Sequence, residues 1–145
     1  MTLRMDYTKE YPEAFQAMLK LEKFVRGSGI DKTLLELIKL RASQMNGCAY
    51  CLNMHAQDAR SQGETEQRIY LLNAWREAPY YTDAERAVLA LTEAVTRISE
   101  AGVPQAVYEE ARRHFDGKQF TAILMAINVI NSWNRLAITT GMMPN

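Results

Sequence analysis

Two cysteines and a histidine are the residues in this chain whose types and spacing can do chemistry. Cys48 and Cys51 are its only cysteines, and His55 follows the second by four positions, in the run Cys48-Ala-Tyr-Cys51-Leu-Asn-Met-His55. In a reducing cytosol, a pair at this spacing is a redox couple or half of a metal site rather than a structural staple. A histidine one helical turn beyond a thiol can take its proton at neutral pH. A free cysteine is only a few per cent thiolate there. Lowering its pKa to about 6–7, within the range proteins reach, makes about half or more of it nucleophilic.

The spacing decides which groups can meet. Asn46-Gly47 reads as a left-handed cap ending one helix, and Cys48 opens the next, which closes at Gly63. On that helix Cys48, Cys51, Leu52, His55 and Ala59 share one face of about 100°, with Asn53, Gln57 and Arg60 opposite. Both sulfurs and the imidazole are therefore expected to point inward, with the sulfurs within disulfide reach. The unpaired N–H groups of a first turn favour a thiolate. His55 stands at i+4 from Cys51 and i+7 from Cys48, which places it better to act on Cys51; the opposite order of the cysteines stays open. Asp58 either orients the imidazole or is a solvated carboxylate. A structural zinc takes four ligands, whereas this helix offers three. His114 lies far along the chain near a helix end, where the helix dipole explains it. No metal and no cofactor are expected. Covalent haem attachment wants histidine directly after the second cysteine, and position 52 is Leu.

The elements that must position these groups are helical. With seven glycines, four prolines and no sustained period-two alternation in 145 residues, the pattern is all-α. A first helix is predicted from about Pro12 to Val25, with Phe15, Leu19 and Phe24 among its apolar residues. A second starts between Asp31 and Thr33 and ends at Asn46. After the cysteine helix, a short one runs from about Thr65 to Trp75. Thr82 and Glu85 form a capping-box pattern for a helix to about Ser99. Pro104 suits the first turn of another, ending near Phe115. Asp116 and Gln119 resemble a capping box for a long last helix. That helix is apolar nearly all round, which predicts a central, buried position, and at that depth Arg135 would need a partner. No linker, repeat or low-complexity tract divides residues 1–145, so one domain of about six to seven helices is expected.

Composition removes several classes. The 17 basic and 17 acidic residues cancel and are interspersed, unlike the basic face of a nucleic-acid binder. The stretch from Phe120 to Thr140 carries Asn128, Asn131, Ser132, Asn134 and Arg135, too many polar groups for a membrane span. The start, Met1-Thr-Leu-Arg-Met-Asp-Tyr, lacks the apolar run of a secretory signal. A cytoplasmic protein that binds neither nucleic acid nor membrane is expected.

The chain resembles the alkylhydroperoxidase D-like group of the carboxymuconolactone decarboxylase superfamily. That group is marked by a glutamate, eleven residues, C-x-x-C, three residues and a histidine; Glu36, Cys48, Cys51 and His55 fit. Leu72-Asn-Ala-Trp-Arg-Glu-Ala-Pro79 leading to Glu85-Arg86-Ala87, and Ile130-Asn-Ser-Trp-Asn-Arg135, are similar to stretches of its short members. By local pattern alone, Glu36 sits with Lys39 and Ser43 on the polar side of its helix, and Thr33-Leu-Leu-Glu36 reads as a capping box. The resemblance instead implies that Glu36 belongs to a proton relay with His55 and a thiol. One departure stands out: the founding peroxidase has a histidine just before the second cysteine, where this chain has Tyr50, which does not titrate near neutrality.

The resemblance also implies an all-α bundle that oligomerises. Single-core chains of this length are similar to those that form hexamers as trimers of dimers. The implied activity is that of a peroxidase in antioxidant defence, an alkylhydroperoxidase or disulfide reductase. Cys51 attacks the hydroperoxide, Cys48 closes the Cys48–Cys51 disulfide, and an external dithiol or a lipoyl-type adaptor protein reopens it. Two alternatives stand beside it. One is lactone decarboxylation, which needs no redox pair; the other is a non-catalytic redox sensor or adaptor.

Overall fold

Helical periodicity with few breakers produces helices throughout. In the computed structural model, which describes residues 2–145, every regular element among the described residues is helical. They are α1 (Tyr7–Glu10), α2 (Pro12–Arg26), α3 (Lys32–Asn46), α4 (Ala49–Ser61), α5 (Glu66–Tyr70), α6 (Asp83–Thr96), α7 (Ile98–Ala101), α8 (Gln105–His114) and α9 (Gly117–Thr140). A single 3-10 turn, Leu72–Ala74, follows α5 where one helix to Trp75 is predicted. The seven helices expected from the sequence are present. The single turns α1 and α7 are additional, and both are too short to show a periodicity.

The capping chemistry explains most boundaries. Thr82 with Glu85 and Asp116 with Gln119 both form complete capping boxes. Gly47 ends α3 in the left-handed region at φ 70°. Two expectations fail. Pro104 is the residue before α8 rather than part of its first turn. Asp31, not Thr33, caps α3, its Oδ2 accepting from the Leu34 amide at 3.1 Å. Glu36 is thereby left free of any capping duty.

The helix buried on all sides is α3, not the last one. Every residue from Leu34 to Leu40 is buried. Leu34, Leu35 and Ile38 pack against α6 and α9, and Leu37 and Leu40 against α4, Leu72, Trp75 and Leu89. Each such side chain contributes roughly 1.5–3 kcal/mol. The polar side of α3 is covered as well, by His55 of α4 at Glu36, Glu22 of α2 at Lys39 and Asn134 of α9 at Ser43. Helix α9 instead buries one side and exposes Thr121, Asn128, Arg135 and Thr139. Arg135 therefore needs no buried partner. The stripe of polar residues is α9's outer face.

Amide side chains tie the frame together next to the cysteines. The Asn46 amide donates to Oδ1 of both Asn131 and Asn134 at 2.9 Å, and Asn134 donates to Ser43 Oγ at 3.0 Å. This fixes the end of α3, and hence the start of α4, against α9. The N-terminal segment is docked too. Arg4 donates its amide to the Thr140 carbonyl at 2.8 Å, beside Gly141. Gly141 has φ 78°, and a Cβ there would stand 2.6 Å from the Thr2 carbonyl oxygen. That docking carries α1 over the mouth of the site.

Candidate active site

Cys48 is the N-cap of α4, and its Sγ accepts from the Cys51 amide at 3.3 Å. The two cysteines are joined by a disulfide, with their Cα atoms 5.3 Å apart. Both are buried and pack against Ala137, Tyr50 and Met142. Cys51 also lines a cavity of about 350 Å³, and Cys48 does not. Its walls are mostly apolar, built from Tyr7 of α1, Phe15 of α2, Met54 of α4, Trp133 of α9 and Met142. Phe15 stands edge-on to both Tyr7 and Trp133, each at 6.1 Å between ring centres. Burial pushes the Tyr7 phenol above its ordinary range, with Tyr50 and Asp6 adding to the effect.

His55 shares that cavity with Cys51 and is 3% exposed. Behind it lies Glu36, also 3% exposed, with Oε2 at 3.2 Å from His55 Nδ1. The approach is close but not aligned as a hydrogen bond, and both atoms lack a hydrogen-bond partner. Asp58 is further off, with Oδ2 at 4.0 Å and its side chain 43% exposed. Of the two carboxylates, Glu36 is the closer and the drier. On its other side Glu36 borders a separate cavity of about 120 Å³, lined also by Arg26, Lys32 and Gln62.

All four residues singled out by the extended motif therefore meet in one place. The sequence did not point to Tyr7, Phe15, Met54, Trp133 or Met142 as cavity walls, because they come from four helices and the C-terminal segment. It also missed Glu22. Lys39 is buried, and its Nζ donates to Glu22 Oε1 at 2.7 Å. Burial is the strongest influence on the Glu22 carboxyl and opposes its charge. The hydrogen bond and charge of Lys39, with Arg26 and His55, outweigh it and hold the carboxyl below its usual range.

Glu36, His55 and Asp58 are also a group that could hold a metal among the described residues, each offering one atom within 4.8 Å of the others. Three is short of the four ligands a structural zinc takes, and sulfurs joined in a disulfide are not thiolate ligands.

The model of the carboxymuconolactone decarboxylase family matches residues 10–94, a span that includes Glu36, both cysteines and His55. The chain belongs to this family. It is 47% identical over 141 residues to the uncharacterized protein YdfG of Bacillus subtilis, covering 97% of this chain and 96% of that one. Its fold is similar to the crystal structure of an Agrobacterium tumefaciens protein of unknown function, described as a candidate antioxidant defence protein AhpD. The TM-score is 0.97 at 44% identity, with 99% of each chain covered. It is also similar to an uncharacterized peroxidase-related protein of Ralstonia eutropha with an alkylhydroperoxidase AhpD core. There the TM-score is 0.82 at 25% identity, covering 95% of this chain and 74% of that one. Within its superfamily, the chain is thus an alkylhydroperoxidase D-like member.

Proposed function

We propose that the protein reduces organic hydroperoxides with the Cys48–Cys51 pair, in antioxidant defence. In the reduced protein His55 takes the proton of Cys51, and Glu36 steadies the charge that forms. The Cys51 thiolate attacks one oxygen of the O–O bond. The bond breaks, the sulfur is oxidised to a sulfenic acid, and the other oxygen leaves as an alkoxide that takes a proton to become an alcohol. The Cys48 thiol then attacks the sulfenic sulfur, expelling water and closing the disulfide. An external dithiol supplies two electrons and two protons by exchange, returning both thiols and becoming a disulfide itself.

The observation that carries this reading is the cavity. It brings Cys51 and His55 together at an apolar wall, with Cys48 bonded behind Cys51 and Glu36 behind His55. This arrangement favours Cys51 as the attacking thiol, and the aromatic and methionine walls suit a substrate with an apolar body. Lactone decarboxylation has no use for a paired dithiol. The names of the Agrobacterium and Ralstonia proteins support the peroxidase reading at the level of the family. Consumption of cumene hydroperoxide driven by dithiothreitol or dihydrolipoamide tests it. Sustained turnover is expected. A protein whose disulfide is readily reduced but which leaves the hydroperoxide unconsumed would be a redox sensor or adaptor instead.

We also propose a homo-oligomer, a hexamer built as a trimer of dimers. Support comes from exposed apolar side chains, Leu21 and Phe24 on α2, Leu3 and Met5 in the N-terminal segment and Ile138 on α9. Sedimentation at micromolar concentration is expected to show six chains; a 16.6 kDa species would overturn it. No helix among the described residues is long and apolar enough to cross a membrane. The reducing cytoplasm suits a dithiol that must be regenerated.

A further inference from the structure

We propose that Glu22 and Lys39, a largely buried ion pair between α2 and α3, set the charge balance that makes the Glu36–His55 couple accept the thiol proton. The proposal rests on reading His55 as the base for Cys51, and it assigns Glu22 and Lys39 as positioning residues that never touch substrate. Three buried side-chain atoms lack a hydrogen-bond partner among the described residues: Glu22 Oε2, Glu36 Oε2 and His55 Nδ1. All belong to this one cluster. Lys39 is 1% exposed and has Glu22 as its partner at 2.7 Å. It stands on the same face of α3 as Glu36, one turn on. Buried carboxylate oxygens normally have a hydrogen-bond partner, and here two of them and an imidazole nitrogen fall in one region without one.

Charge counting gives the pair its task. The groups around His55 are Glu36 from α3, Tyr7 from α1, Tyr50 and Asp58 on α4 itself, and Glu22 from α2, which brings its own partners Arg26 and Lys39. From α9 come Trp133 and Ala137, which do not titrate. The tyrosines are neutral near pH 7. Arg26 and Asp58 are opposite in sign and roughly half exposed, and water screens them. The buried members are then two carboxylates and one ammonium. With His55 neutral they carry one surplus negative charge in a medium where charge is costly. A proton passed from Cys51 to His55 cancels it, and the negative charge moves to the sulfur at the cavity wall. Without Glu22 the surplus vanishes, and taking the proton would create a buried positive charge. Without Lys39 the surplus doubles, because Arg26 Nε, 3.2 Å from Glu22 Oε1, still holds Glu22 ionised.

The test follows alkylation of reduced Cys51 by iodoacetamide against pH, in a full-length Cys48→Ser background that leaves one thiol. Glu22→Gln is expected to raise the pH midpoint by about one unit. Lys39→Met is expected to lower it, and the double variant, which restores the count, to return it to the parent value. A pair that merely holds the helices together would shift both single variants the same way and leave the double displaced. Either that pattern or unmoved midpoints in the single variants overturns the proposal. Should Glu22→Gln fail to fold with Lys39 unpaired, Lys39→Met decides, and a midpoint unmoved or raised is contrary. Alkylation needs no hydroperoxide, so it stays readable even if turnover fails. If His55→Gln itself leaves the midpoint unmoved, the reading of His55 as base falls, and this proposal with it.

Discussion

Two buried polar regions of this protein are built in opposite ways. At the α5–α6 corner every charge is matched. Glu85 accepts from Arg68 Nη1 and Nη2 at 3.1 and 2.5 Å and from the Thr82 amide at 2.8 Å. Glu93 accepts from Arg41 Nε, Trp75 Nε1 and Arg76 Nη1 at 2.9, 2.8 and 2.6 Å. Arg86 donates to the carbonyls of Trp75, Ala78 and Arg76. Around His55, by contrast, three polar atoms are buried without a hydrogen bond, within reach of charged neighbours. Leaving such groups unsatisfied costs roughly 1–3 kcal/mol each. The difference separates polar groups that hold the fold from polar groups kept free to move a proton. Both regions carry stretches on which the sequence resemblance rests, so those motifs alone do not distinguish the roles.

The sharpest way to break this contrast is to substitute one member of each region and read activity and stability together. His55→Gln is expected to lower hydroperoxide turnover by about 10²- to 10⁴-fold, the usual worth of general-base assistance, while thermal unfolding changes little. A comparable loss of stability would put His55 with the structural groups. Glu85→Gln is the reverse case. It breaks a bidentate charge pair that is mostly buried while glutamine can keep the capping box, and about 2 kcal/mol is expected to be lost. That is less than the roughly 3–5 kcal/mol for a fully buried pair, because Arg68 keeps Glu64 at 3.0 Å. Turnover per folded molecule should stay at the wild-type value.

The same corner sets the response to acid. Burial is the largest single influence on Glu85 and Glu93 and opposes their charge, but Arg68 and Thr82 together outweigh it at Glu85, as Trp75, Arg76 and Arg41 do at Glu93, and hold both carboxyls below their usual range. A carboxyl depressed in the folded state contributes stability that is present above its ordinary value, about 4.3, and disappears as pH falls further. Denaturant unfolding should therefore weaken steeply below about pH 4, and less steeply in Glu85→Gln. An unchanged slope in that variant would remove Glu85 from the explanation. The smallest effect is expected at Glu36. Glu36→Gln removes a buried charge without an aligned partner, and stability should stay level or rise by about 1 kcal/mol while turnover falls. A clear loss of stability would mean that Glu36 holds the fold.

Much of this was legible in the sequence, for identifiable reasons. Helix ends with complete signals, Thr82 with Glu85 and Asp116 with Gln119, fall where their side chains dictate. The inward face of α4 follows from 3.6-residue periodicity, and Cys48, Cys51 and His55 are all buried. Burial of whole helices was not legible, because it depends on what packs against them. The polar side of α3 looked solvated until α2, α4 and α9 covered it, and the apolar α9 looked central although one face is exposed. Glu36 shows both limits. Its local pattern suggested a cap, whereas Asp31 takes that duty, and only resemblance linked it to His55. Glu22 carried no local signal, since its meaning comes from Lys39, seventeen residues on.

The central claim, that His55 serves as a base for a peroxide-reactive pair, is tested most directly by one rate measured across pH. Pre-reduced wild-type protein and His55→Gln are each mixed with one equivalent of cumene hydroperoxide, and the loss of free thiols is timed. Wild type should lose two thiols per chain without forming covalent dimers. The deficit of His55→Gln should be at least about 100-fold near pH 7 and shrink toward about pH 9, where an unassisted thiol with pKa near 8.5 ionises by itself. A deficit of equal size at every pH, or a wild-type protein that keeps one thiol free, would contradict it.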